Sequence, residues 1–207
     1  SGDPGLAAVR VPTDNTATDV TINGTVAIGD INTRRGVVIN GDVSGVMSVG
    51  ATGSVTATGT SGATGILVPS GLTGTLSNSG EVEGSSWGAD LVGSFPSITN
   101  TATGTFTGIS GGIRLLNTTV TVLNNSGTIQ ETGSGGTAGL NVLFGNVTTI
   151  NNNSTGSITA DDLPAVAVSD GAIGTFNNDG TLSSSGSAGS GLALSSTGTA
   201  TITTLAN

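Results

Sequence analysis

The residues best placed to do chemistry in this sequence are two adjacent carboxylates, Asp161 and Asp162. Paired carboxylates can act as general acid and base on a glycosidic bond, and polysaccharide-cleaving enzymes combine such groups with a nearby Arg or Lys. Here no Arg or Lys lies near them in sequence, and the chain has no lysine at all; its four basic residues are Arg10, Arg34, Arg35 and Arg114. The pair therefore reads as a solvated loop ahead of Leu163 and Pro164. Polysaccharide chemistry is the least favoured function, and the chain is expected to be non-enzymatic.

Other reaction classes fall on composition. With no His, a Ser-His-Asp relay cannot be built. With neither His nor Cys, nucleophilic thiols and zinc sites are also out. No catalytic, cofactor-binding or metal residue is assigned and no cofactor is implied. Weak Ca2+ binding at the acidic loop stays open, although the glycine-rich, Asp-containing nonapeptide of calcium-loaded β-rolls is absent.

Three further sets of residues carry possible binding roles. Thr75, Ser97, Thr149, Thr175 and Thr204 recur at one position of a repeat and could form a flat outward stripe; such an array would suit ice, the alternative function, but Val122 interrupts it and the repeat length varies. Trp87, the only tryptophan, lies in Gly84-Ser85-Ser86-Trp87-Gly88, where it could meet a glycan or fold over an edge of the repeat. The most regular set is Asn78, Asn100, Asn125, Asn152, Asn178 and Asn207. If these stack, each side-chain amide can donate to a carbonyl of the next repeat, a structural ladder; the competing reading is that Asn merely tolerates turn conformations.

What must position these residues is a repeat of three short elements. Two apolar residues three apart precede each Asn: Phe95 and Ile98, Val120 and Leu123, Val147 and Ile150, Ile173 and Phe176, Ile202 and Leu205, with Thr73 standing in for the first apolar residue before Leu76. A Gly turn then leads into a second strand, as in Gly104-Thr105-Phe106 and Gly127-Thr128-Ile129. After a variable loop of Gly, Ser and Thr, a small residue opens an apolar alternation, such as Ile113 and Leu115 or Leu140 and Val142. Successive Asn positions lie 22, 25, 27, 26 and 29 residues apart, the length of one coil with three strands and three turns.

The composition agrees. Glycine (36 residues) and β-branched residues interrupt every candidate helix, and the aliphatic content with only 8% charged residues argues against disorder. The expectation is an all-β, right-handed parallel β-helix of about 7–8 coils of roughly 22–29 residues, a single domain over 1–207, with irregular N-terminal coils in 1–65 and regular ones in 66–207. At about 4.8 Å per coil this makes a rod roughly 35 Å long.

The phrase Asn125-Ser126-Gly127-Thr128-Ile129, with variants at 78–82, 152–158 and 178–182, resembles the passenger regions of bacterial autotransporter adhesins and related secreted β-helix surface proteins. The resemblance covers about two thirds of the chain. It implies export to the cell surface and work in adhesion, autoaggregation or biofilm formation, with host-cell or matrix glycans as partners.

A formal charge of −9 makes nucleic acid and anionic membrane poor partners, and no stretch reaches the roughly 20 apolar residues of a membrane-spanning helix. Ser1 follows no charged and apolar leader, so an exported form is expected to be a processed one. Leu205-Ala206-Asn207 followed by Ser1-Gly2-Asp3 would read like Leu76-Ser77-Asn78-Ser79-Gly80-Glu81. A head-to-tail junction between copies is therefore expected at these six residues, giving a homo-oligomeric filament; a fragment of a longer solenoid would show the same phase.

Overall fold

The computed structural model describes residues 7–29, 35–59, 62–186, 189–194 and 199–207. Among these there is no helix, and every strand pairing is parallel. The strands stack into three columns, so the chain climbs one coil each time it visits all three.

The first column runs through β1 (Ala7–Val11), β5 (Arg35–Ile39), β9 (Thr64–Val68), the first half of β12 (Trp87–Asn100), the first half of β14 (Gly111–Asn125), β16 (Leu140–Leu143), β19 (Val166–Ser169) and β22 (Leu192–Leu194). The second holds β3 (Val20–Ile22), β7 (Val46–Val49), β10 (Thr75–Asn78), the second halves of β12 and β14, β17 (Asn146–Asn152), β20 (Ala172–Asn178) and β23 (Thr201–Ala206). The third is β4 (Thr25–Gly29), β8 (Ser54–Thr58), β11 (Glu81–Gly84), β13 (Thr105–Gly108), β15 (Thr128–Glu131), β18 (Ser157–Ala160) and β21 (Thr181–Ser184). A short pair, β2 (Thr16–Ala17) and β6 (Asp42–Val43), adds a fourth side to the first two coils. The protein is thus a β-solenoid of about seven turns.

Each column stacks its inward side chains on their counterparts above and below. In the third column these are Val26, Val55, Val82, Phe106, Ile129, Ile158 and Leu182, and one apolar core continues from Ile22 to Phe176. Burying each large aliphatic or aromatic side chain stabilises by about 1.5–3 kcal/mol, which lets a narrow core hold without disulfides.

The three-residue apolar spacing has a specific cause. Strict alternation would send Phe95 and Ile98 to opposite faces. Instead Pro96 drops out of the paired register, as do Thr121, Thr148 and Thr203 at the same point, and both flanking apolar side chains turn inward. Pro96, with no N–H, loses no ladder bond there.

Thr73 departs from the expectation. It is exposed, and Leu72 fills the inward position level with Phe95, fixed by the Gly71–Ser94 bridge. The hydroxyl and N–H of Thr73 turn outward to Asp42, so the two inward residues Leu72 and Leu76 are four apart here, with three residues between them.

The coils before residue 66 look irregular in sequence because the ladder position is apolar there. Ile22 and Val49 stack in register below Asn78, and the extra β2–β6 side lengthens the corner. The three columns are otherwise continuous through both coils.

Glycine recurs at the corner where the first column begins, because the third column's backbone passes behind it. A Cβ on Gly112 would stand 2.7 Å from the Gln130 nitrogen and from the Ile129 side chain.

Candidate functional site

The most ordered polar feature is the column of asparagines at the turn after the second strand. Nδ2 of Asn78 donates to Oδ1 of Asn100 at 3.1 Å, Asn100 to Asn125 at 2.9 Å, Asn125 to Asn152 at 2.8 Å, Asn152 to Asn178 at 2.8 Å and Asn178 to Asn207 at 2.7 Å. The second amide hydrogen goes to a backbone carbonyl of the next coil: Thr105 for Asn78, Thr128 for Asn100, Ser157 for Asn125 and Thr181 for Asn152. Asn78 through Asn178 are buried, so these bonds offset the cost of taking amides out of water.

The glycine that follows each Asn belongs to the same device. A Cβ on Gly104 would collide with Oδ1 of Asn100, and one on Gly156 with Oδ1 of Asn152. Asn and Gly therefore recur together because the ladder leaves no room for a side chain beside it.

A second ladder runs outside. Asn151 donates to Asn124 at 2.8 Å and Asn177 to Asn151 at 2.9 Å, all three part-exposed. Its signal in the sequence is the doubled Asn at 124–125, 151–152 and 177–178.

The residues with possible chemistry are not brought together. Asp161 and Asp162 are both exposed, and the Asp161 N–H donates to Glu131 at 2.9 Å. Glu131 is the acidic residue that sequence reasoning missed: it is fully buried and also accepts the Gly133 N–H at 2.6 Å. It stacks on Gly108 below, where a larger neighbour would exclude it. Among the described residues no three acidic groups converge on a metal-sized site.

Trp87 opens a strand rather than sitting in a polar loop, and it is buried. Its ring lies over the Gly111 position, with the Arg114 guanidinium 5.2 Å from the ring centre. Arg114 in turn grips Asp90 on the coil below through Nε at 2.9 Å and Nη2 at 2.5 Å. This cluster closes the wall of the first column and leaves no open aromatic face for a glycan.

Thr75, Ser97, Val122, Thr149, Thr175 and Thr204 do stack in register on the outer face of the second column, with Val122 in the middle. Near the N-terminal end, Asp42 accepts the Thr73 N–H at 2.9 Å and its hydroxyl at 2.7 Å. These bonds, the N–H first, outweigh the opposing desolvation and hold the Asp42 carboxyl below its ordinary pKa.

Leu205 stacks on Phe176 yet is 58% exposed, and Leu194, on Val168, is 47% exposed. Ser1, Gly2 and Asp3, the other half of the expected junction, lie outside the described residues.

Fold and ladder together define a parallel β-solenoid repeat protein. No family model, curated protein or solved structure matches the chain.

Proposed function

We propose that this chain is a non-enzymatic structural solenoid of the bacterial cell surface that self-associates end to end, the last coil of one copy receiving the first coil of the next. The observation that supports this reading is the stack itself: each coil seats on the next through in-register parallel strands, a shared aliphatic core and the Asn ladder, a geometry that a coil of a second copy could enter in the same way. The first coil offers matching chemistry: Val20 heads the column that ends in Leu205, and Val11 the one that ends in Leu194. Aliphatic would meet aliphatic, and parallel strand edges would find partners. Such a contact is heterologous and does not close, so it builds filaments. Export and a surface role rest on the resemblance to adhesin passengers.

Negative-stain electron microscopy over a range of protein concentrations tests this, with Leu205→Asp beside the parent. Filaments from the parent and none from the variant are expected. A parent that stays monomeric throughout, or filaments indifferent to Leu205→Asp, would overturn it.

A further inference from the structure

Of the five aromatic residues in the chain, Trp87, Phe95, Phe106 and Phe176 are buried; Phe144 is 53% exposed. Its backbone is also unusual. Leu116 pairs with Leu143 and Leu143 with Ser169, while Thr119 pairs with Asn146 and Asn146 with Ala172, so the same two-residue corner recurs in three successive coils. Its first residue is Asn117, Phe144 and Asp170 in turn, all left-handed, with φ of 49°, 53° and 50°. Asn and Asp visit that region readily, whereas a bulky aromatic does so under strain. A strained aromatic kept in water is an arrangement that folding does not need, and it points to a contact made by the ring.

We propose that Phe144, with Asn117, Asp170 and Asn146, forms a shallow contact site for a neutral saccharide. Asn117 and Asp170 flank the ring one coil to either side, about 4.8 Å away along the axis, and exposed Asn146 follows two residues on. The ring supplies an apolar face the size of one pyranose, and amides and a carboxylate supply the donors and acceptors that hydroxyl groups require. Other occupants fit less well. The three corner segments, 116–119, 143–146 and 169–172, contain no basic residue, and Arg114 on the adjoining coil is bound to Asp90, so the corner itself offers an anionic ligand no cation. One ring beside the half-buried Leu116 and Leu143 falls far short of the roughly 800 Å² per partner of a stable protein interface. A net charge of −9 on each copy further opposes lateral pairing.

The site sits on the flank of a middle coil, so it stands apart from end-to-end stacking and should persist in the Leu205→Asp variant. Saturation-transfer NMR with methyl glucoside, methyl galactoside and N-acetylglucosamine tests it directly. Transfer to at least one of these is expected from the parent, and Phe144→Trp should retain it. Phe144→Asn should weaken it about tenfold or more while raising the thermal midpoint, because Asn relieves the strained backbone. Absence of transfer from the parent to all three sugars, or transfer undiminished in Phe144→Asn, would overturn the proposal. So would a dimer in sedimentation that Phe144→Asn abolishes, which would assign the ring to a second copy.

Discussion

Nδ2 of Asn125 lies 2.8 Å from Oδ1 of Asn152, although the two residues are separated by a full coil of chain. The same amide also reaches the Ser157 carbonyl, so a single side chain ties together two turns of backbone. Its own Oδ1 is taken by Asn100. Each rung from Asn100 to Asn178 is thus bonded to the rungs on either side of it.

Asn125→Ala should therefore orphan buried groups on both neighbours. A loss of about 1–3 kcal/mol is expected in chemical denaturation. Asn177→Ala, on the part-exposed outer ladder, should cost about 0.5 kcal/mol, since water replaces its partner. Equal losses from the two variants would contradict the distinction between a buried and a solvated ladder.

Glu131 should be equally sensitive to a change that preserves its shape. Its two oxygens accept the N–H groups of Gly133 and Asp161, and Glu131→Gln would turn an NH2 group toward one of them. Destabilisation of about 1–3 kcal/mol follows. Hydrogen exchange at those two amides should quicken ahead of the rest of the molecule.

Arg114→Met should leave the nearly buried Asp90 carboxylate without its partner and cost about 2 kcal/mol, less than the roughly 3–5 kcal/mol of a fully buried pair because the guanidinium is part-exposed. Since Trp87 is the only tryptophan and lies beneath that guanidinium, its fluorescence should shift in the folded state of the variant.

Acid should weaken the Asp42–Thr73 link. The folded carboxyl titrates below its ordinary value, so its stabilising contribution is complete above the unfolded pKa and is lost as pH falls through the lower folded one. The denaturation midpoint of Asp42→Asn should consequently fall less steeply than that of the parent once pH drops below about 3.9. Identical slopes would show that other carboxylates carry the acid response.

How far the sequence determined the protein follows from these residues. Recurring Asn and Gly at coil-length intervals, with apolar residues held between them, specified three strands per turn and the order of the columns. Parallel stacking superimposes equivalent positions, so whatever the stack demands must reappear in every coil. Spacing alone could not decide which way a side chain faces once the strand bends. The kink at Pro96 and its equivalents turned two apolar residues inward, while Thr73 gave way to Leu72. Nor could it foresee Glu131 or Phe144, because each occurs in one coil only and takes its character from its neighbours. Glycine at 108 makes room for a buried carboxylate, and the left-handed corner shared with Asn117 and Asp170 holds an aromatic ring in water. Repetition is legible in one dimension; the environment of a residue that does not repeat is set by the coils above and below it.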